Sequence, residues 1–329
     1  MNHNVGCSFY PCGWLVNSGR LIGKKLQKEA RQWLSPPDPW KNHNTARESH
    51  YEGTSGWFVE GNTFAKWTSS ASGPDLLLWV HGKRGCLYHT FSFLLKWTIL
   101  QIVAGSGKSV IWYVHLTEFS QRDPMGLASS TIIENVDDMR KRGLALLGFF
   151  YCDFRDDNKK NLRGLVSSLL VQLCDQSDSH SAILSEFYST HGDGSRQPSN
   201  NALIGCLRDI LKHPGQAPVY LIIDGLDECP NTSGTPSPRE NILGFLEDLV
   251  NLHLRNLHIC ITSRPEVGIK AVLDYFPFRT VSLHEQSGQK QDIVNYVNAI
   301  VYMDPMIKGW RTADKERVIE ALTRKADGM

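Results

Sequence analysis

Short apolar segments alternate with amphipathic segments from residue 76 to residue 301, and this alternation constrains the fold more than any other feature. The apolar segments are predicted strands at residues 76–81, 147–154, 219–223 and 257–261, with a further candidate at residues 280–283. Helical spacing of apolar residues predicts helices at residues 130–147, 161–174, 239–252 and 291–301. Strands that are apolar on both faces are typical of a parallel sheet with helices on both sides. The sequence therefore predicts an α/β fold with a mainly parallel sheet between two helical layers.

Residues 1–75 precede the predicted sheet and carry different signals. Residues 20–34 are predicted to form a short basic amphipathic helix, and the prolines that follow predict that residues 35–50 are a linker. We expect three parts: an N-terminal extension at residues 1–50, the α/β domain at 51–303, and the start of a helical region at 304–329.

The charge balance gives no reason to expect an anionic partner. The chain has 35 Lys and Arg against 34 Asp and Glu, a net charge of +1, so neither nucleic acid nor a membrane surface is an expected partner. Residues 91–104, the longest apolar stretch, include Lys96 and are too short to span a bilayer. The first twenty residues lack the pattern of a signal peptide. The 8 cysteines of the chain are scattered and form no Cys-x-x-Cys pair. We therefore expect a cytoplasmic protein with reduced thiols.

A phosphate-binding motif is present in part. Residues 105–109 read Gly-Ser-Gly-Lys-Ser, the end of the P-loop or Walker A motif, G-x-x-x-x-G-K-[ST]. In that motif backbone N–H groups cradle phosphate oxygens, the lysine reaches the β- and γ-phosphates, and the hydroxyl binds Mg²⁺. We therefore predict that Ser106, Gly107, Lys108 and Ser109 bind nucleotide phosphates, and that Ser109 also binds the metal.

The spacing of this motif is interrupted. Ile102 stands where the first glycine is needed, whereas Gly82 and Gly85, directly after the first predicted strand, resemble the missing front half. We infer insertions at about residues 86–105 and 111–126, either translated non-coding sequence or real loops. The insertion is expected to loop out after Gly85; in the alternative, residues 98–103 replace residues 76–81 as the strand that enters the loop.

Acidic residues and an arginine follow two later strands. Asp224 directly follows the strand at 219–223, which is the Walker B position that holds Mg²⁺. Asp227 and Glu228 lie three and four residues further, where a carboxylate can polarise an attacking water. Arg264 follows the strand at 257–261, from which its guanidinium can contact a γ-phosphate. His81 and Asp153 are interpreted as a packing residue and a loop acid.

Taken together, these motifs resemble the NACHT-type P-loop NTPases of the STAND class of signalling ATPases. The nearest pattern is the nephrocystin-like N-terminal NTPase module of fungal NOD-like proteins. The stretches that carry the resemblance are 57–60 (WFVE), 78–82 (LWVHG), 107–109 (GKS), 149–154 (FFYCDF), 169–173 (LLVQL), 221–229 (LIIDGLDEC) and 261–265 (ITSRP).

This resemblance implies a five-stranded parallel sheet, ATP or GTP with Mg²⁺, slow hydrolysis and a switch between closed and self-associating states. It implies that Lys108 binds phosphate, Ser109 and Asp224 bind the metal, Asp227 and Glu228 activate water, and Arg264 senses the γ-phosphate. The interrupted loop leaves a second hypothesis open, a non-catalytic remnant or mis-spliced product that does not bind nucleotide. A small-molecule kinase is a third hypothesis, disfavoured because residues 231–238 lack the arginines of a kinase lid.

Overall fold

Five parallel strands form one sheet at the centre of the chain. The computed structural model describes residues 27–48, 56–69, 76–82, 124–232, 236–276, 278–283, 287–303 and 308–327. The sheet order is β2-β3-β4-β1-β5. The strands are β1 (Leu77–His81), β2 (Leu146–Tyr151), β3 (Val219–Asp224), β4 (Leu257–Ser263) and β5 (Arg279–Ser282). The predicted α/β fold and the five-stranded parallel sheet are confirmed.

Helices surround this sheet. Residues 27–34 form α1, ahead of the first strand. The other described helices are α2 (Trp40–Glu48), α3 (Gly56–Val59), α4 (Asn62–Ser69), α5 (Pro124–Lys141), α6 (Leu162–Cys174), α7 (Asp178–Thr190), α8 (Asn200–Leu211), α9 (Pro238–Asn251), α10 (Val267–Leu273), α11 (Ser287–Met303) and α12 (Thr312–Asp327). Short 3₁₀ turns at Asp157–Lys159 and Leu226–Glu228 follow β2 and β3.

Alternate residues of each strand enter two separate apolar cores, as the two-residue period of a strand requires. On one face Leu221 and Ile223 of β3 pack with α6, α8 and α9. On the other face Tyr220 and Ile222 pack with α4 and α5. Because both faces of the sheet are covered by helices, its central strands are buried along their whole length, with every residue of β3 and β4 buried.

At the β2 edge of the sheet, two glutamine side chains take the place of a neighbouring strand. β2 is an edge strand, so its outward backbone groups face no neighbouring strand. The Gln172 amide accepts from the Phe149 N–H at 3.1 Å and donates to the Phe149 carbonyl at 2.8 Å. One turn later, the Gln176 amide makes the same pair with Leu147, at 2.9 and 2.6 Å. Helix α6 thereby satisfies the strand edge where another chain could otherwise pair.

Several predicted boundaries differ from the structure. Helix α5 begins at Pro124, inside the second predicted insertion, and ends at Lys141, after which Gly143 adopts a positive φ of 73°. β2 ends at Tyr151, not at residue 154, because its partner β3 ends opposite, at Asp224. The predicted linker at 35–50 contains α2, and α7 and α8 were not predicted. Of the predicted helix at 20–34, residues 20–26 lie outside the described residues.

Candidate functional site

The direction of the chain reverses next to β1, and this reversal places the candidate site. From β1 the chain crosses to the far edge at β2, and then returns through β3 and β4 to β5 on the other side of β1. With right-handed crossovers, the connection after β1 therefore lies on one face of the sheet, and those after β2, β3 and β4 lie on the other. Ligands of such sheets bind at the carboxyl ends of strands beside this switch point.

The carboxyl ends of β1 and β4 meet at that point. His81 pairs with Ser263 in register, and Gly82 follows β1 as a buried residue. Trp79 donates its indole N–H to the Ser263 hydroxyl at 2.9 Å, which ties the two strand ends together. Residues 77–81, directly before Gly82, therefore form the strand between β4 and β5. The alternative, in which residues 98–103 replace residues 76–81 as that strand, is wrong.

Asp224 is the last residue of β3, and its side chain is held by the neighbouring strand. The residue is 7% exposed, and the Thr262 hydroxyl of β4 donates to its Oδ1. The same hydroxyl accepts from the Gly225 N–H at 3.0 Å. Gly225 has φ 68° and ψ 38°, a left-handed conformation that turns the chain sharply into Leu226–Glu228 and strains most other residues. The carboxylate is thus fixed at the end of a central strand.

The two other predicted acids face different partners. Oδ1 of Asp227 accepts from the Arg264 backbone N–H at 3.0 Å, and Oδ2 lies 3.3 Å from Nε of Arg264. The Asp227 side chain is 4% exposed, whereas that of Arg264 is 38% exposed. Glu228 instead accepts from the Phe154 N–H at 3.3 Å, beyond β2. Asp227 therefore lies toward β4 and Glu228 toward β2, on either side of the end of β3.

Arg239 is a buried residue of this site that sequence reasoning missed. In the first turn of α9, its guanidinium donates to the Asp227 carbonyl at 2.6 Å and the Cys229 carbonyl at 2.9 Å. It also pairs with the Glu266 carboxylate at 2.5 Å. A signal was present in the sequence: Arg239 is three residues before Ile242, on the apolar face of α9, where a charge needs a partner.

Beyond β2, a second polar group connects the N-terminal helices to the sheet. Asp153 pairs with the Arg155 guanidinium at 2.9 Å and accepts from the Asn42 amide of α2 at 3.2 Å. Chiefly because of Arg155, the pKa of the Asp153 carboxyl is lowered to about 2. Lys159 donates to Oδ1 of Asn42 and to the Asp38 carbonyl, each at 2.6 Å. Asp153 is therefore a structural contact, in keeping with its interpretation as a loop acid.

The thiols near Asp224 are buried and protonated. A hydrogen bond with Cys229, followed by burial and the charge of Asp224, raises the pKa of the Cys152 thiol well above its usual value. Burial raises the pKa of Cys260 in the same direction. Protonated thiols are poor nucleophiles, so neither residue has the character of a reactive cysteine. All five described cysteines are free, and the remaining three lie outside the described residues.

Part of the predicted site lies outside the described residues. These positions are Gly85, Ser106, Gly107, Lys108 and Ser109. Within the described ranges, no cluster of three or more His, Cys, Asp or Glu side chains could hold a metal by itself. Asp224 offers a hard carboxylate oxygen that suits Mg²⁺, an ion that usually takes one or two carboxylates and completes its shell with phosphates and water. Of the described residues, Asp224 could supply one ligand to such a site; Ser109, the other predicted ligand, lies outside them.

A comparison with protein families matches about half of the chain. The family model described as nephrocystin 3, N-terminal, matches residues 96–264, just over half of the 329 residues. The matched range begins after β1 and ends at Arg264. It includes Lys108, Ser109, Asp224 and Asp227. No curated protein matches the chain. Among the described residues, no helix combines the length and apolar character needed to cross a membrane.

Proposed function

Because the chain belongs to the nephrocystin 3 N-terminal family, we propose that it is a NACHT-type nucleotide-binding module that acts as a signalling switch. The observation that carries the proposal is the placement of Asp224 and Arg264 beside the switch point of the sheet. Asp224 ends β3, and Arg264 directly follows the adjacent strand β4. A carboxylate for Mg²⁺ and a guanidinium for phosphate are the charges that a Mg²⁺–nucleoside triphosphate needs there.

The proposed roles follow from the chemistry of each residue. Asp224, with Ser109, holds the Mg²⁺ that neutralises phosphate charge. Lys108 binds the β- and γ-phosphates. The backbone of Gly82, Gly85, Ser106 and Gly107 surrounds them, since glycine leaves room for the close approach of phosphate.

The contact between Arg264 and Asp227 suggests how a triphosphate is detected. In the structure, the guanidinium lies 3.3 Å from the Asp227 carboxylate. A γ-phosphate carries more charge and three acceptor oxygens, so it competes with Asp227 for the same guanidinium. We assign Asp227 to holding Arg264, and Glu228 to activating water for a slow hydrolysis. Exchange of Arg264 between these two anions would distinguish the triphosphate state from the diphosphate state.

Nucleotide titration tests the proposal. We expect fluorescent ATP or GTP analogues to bind in the presence of Mg²⁺, and Lys108→Ala and Asp224→Asn each to weaken binding by at least about tenfold (~1.4 kcal/mol). Lys212→Ala, at an exposed position after α8, is the matched control and should bind as the wild type does. Equal binding by wild type and Lys108→Ala would contradict the proposed phosphate site.

The interrupted P-loop supports a second candidate, a remnant that no longer binds nucleotide. Residues 82–85 and 105–109 carry the two halves of one motif. If the remnant hypothesis holds, the chain does not bind nucleotide, and deletion of residues 86–105 and 111–123 restores binding. The second deletion stops at residue 123 because α5 begins at Pro124. Failure of both the chain and the deletion variant to bind would reject nucleotide binding altogether.

A further inference from the structure

Two loops at the carboxyl edge of the sheet are joined by one buried arginine. The first loop, residues 225–230, follows β3, and the second, residues 264–266, follows β4. Arg239 lies on α9 but bonds to both loops: to the Asp227 and Cys229 carbonyls of the first, and to the Glu266 carboxylate of the second. Its side chain is 9% exposed. A charge this deeply buried is stable only with such partners, so the three contacts are required together.

The geometry of these contacts selects a guanidinium. Nε, Nη1 and Nη2 of Arg239 each bond to a different acceptor, at 2.9, 2.5 and 2.6 Å. A planar guanidinium presents its donors in fixed directions, whereas an ammonium is a single point charge on a flexible stem. Lysine at position 239 keeps the charge but cannot hold three acceptors in these directions. Arg239→Lys therefore tests whether the directions of the guanidinium donors matter, since the positive charge is retained.

Asp227 is held from two sides. Arg239 binds its backbone carbonyl, and Arg264 binds its carboxylate through both the backbone N–H and the side chain. Glu266 is two residues after Arg264, and its N–H donates to the Arg264 carbonyl at 2.8 Å. A displacement of Arg239 would therefore release both the acceptor of Arg264 and the segment that carries it.

We propose that Arg239 is a positioning residue that fixes the Arg264 guanidinium at the carboxyl end of β4, and so links helix α9 to recognition of the γ-phosphate. The part that concerns phosphate rests on the proposed function; the positioning of Arg264 does not. Arg239 has no contact with nucleotide in this scheme, since each of its three guanidinium nitrogens donates to a protein acceptor. It acts through Asp227, Glu266 and Arg264.

The experiment compares ATP and ADP affinities in four forms of the full chain: wild type, Arg239→Lys, Arg264→Ala and the double variant. Arg239→Lys should lower the preference for ATP over ADP by at least about threefold, with little change in ADP affinity. In the Arg264→Ala background, the same substitution should cause almost no further change in this preference. Arg208→Lys is the matched control, because Arg208 is a surface residue of α8 that pairs with Asp248 at 3.8 Å. An unchanged preference, or an effect that persists in the Arg264→Ala background, overturns the proposal.

Hydrogen exchange separates this proposal from the proposed function. In Arg239→Lys, and in the milder Glu266→Gln should the first variant fold poorly, the Arg264 amide should exchange faster, while the amides of β2 exchange as in wild type. This measurement needs no nucleotide. If wild type binds no nucleotide but the Arg264 amide is released, the proposed function fails and the positioning role stands. An unchanged Arg264 amide overturns the positioning role whatever the nucleotide result.

Discussion

The Thr262 hydroxyl donates a hydrogen bond to Oδ1 of Asp224, across the boundary between β4 and β3. It also accepts from the Gly225 N–H at 3.0 Å, so a single hydroxyl fixes the carboxylate and the turn that follows it. Thr262 itself is fully buried. The orientation of the candidate metal ligand is therefore determined by a residue on the neighbouring strand, 38 positions away in the sequence.

Thr262→Val tests this dependence. Valine has the same shape, but it removes the hydroxyl and leaves a buried carboxylate and a buried N–H without this partner. We expect the free energy of unfolding to fall by about 1–3 kcal/mol in urea denaturation, because unmade buried hydrogen bonds carry a cost of this size. Thr262→Ser keeps the hydroxyl and should lose less stability. A loss in Thr262→Val no larger than that in Thr262→Ser would contradict the proposed importance of the hydroxyl.

Gly225→Ala tests the turn between Asp224 and the two acids that follow. Its φ of 68° is unfavourable for alanine, so we expect a loss of about 1–2 kcal/mol in the free energy of unfolding. Space is not the limit, since the added Cβ would lie 3.4 Å from the nearest atom, the Cys152 carbonyl oxygen.

Gly244→Ala is the matched control for this prediction. Gly244 lies inside α9 and has no atom within 4 Å of an added Cβ, so alanine there should stabilise the protein by about 0.5–1 kcal/mol. The two substitutions are chemically the same but have opposite expected signs. A destabilisation by both would indicate a general intolerance of alanine, and would contradict the argument from φ.

Much of the fold follows from the apolar pattern alone. Residues 219–223 were predicted as a buried strand because apolar side chains occupy every position, and the structure places β3 there with both faces covered. Asp224 was identified because a carboxylate follows that strand directly. In both cases the signal lies within one short segment, so that segment alone is sufficient for the prediction.

Contacts between distant segments were not predictable in this way. Thr262, Arg239 and Glu266 determine how Asp224, Asp227 and Arg264 are oriented, but each acts on a residue of another element. The spacing of apolar residues within one segment does not predict which threonine will contact which carboxylate of another segment. Helix α7 was not predicted for a different reason. Only three of its thirteen residues are buried, so the apolar pattern that would indicate a helix is weak.

Gln172 and Gln176 provide a prediction about the edge of the sheet. Replacing both with leucine removes the four hydrogen bonds to Phe149 and Leu147. We expect a loss of about 2–6 kcal/mol in the free energy of unfolding, since each of the four bonds contributes roughly 0.5–1.5 kcal/mol. The unpaired strand should also associate with other chains, so light scattering on heating should begin earlier. Gln291→Leu, at an exposed position of α11, is the control for added surface leucine. If it scatters as strongly, the glutamines do not protect the edge.

Two buried histidines predict a loss of stability in mild acid. His258 stacks on Tyr220 with ring centroids 4.5 Å apart, and burial lowers its pKa to about 4. His43 contacts the Tyr151 hydroxyl at 3.1 Å, and burial, followed by the charge of Arg47, lowers its pKa to about 4 as well. Both stay neutral when folded. The unfolded chain protonates near pH 6.5, so it binds more protons between pH 6.5 and 4, and stability falls across this window.

The expected loss between pH 7 and pH 5 is about 2 kcal/mol for each histidine. The Asp153 carboxyl does not contribute there, because its pKa of about 2 places its own loss of stability at lower pH. His258→Phe keeps a ring beside Tyr220 but no longer titrates, so its free energy of unfolding in urea should fall by about 2 kcal/mol less than that of wild type over this interval. The comparison is made within each variant, which cancels any change in packing. His253→Gln, at an exposed position, controls for the removal of a histidine as such. If His258→Phe retains the wild-type difference between pH 7 and pH 5, titration of His258 does not contribute to the acid sensitivity of the fold.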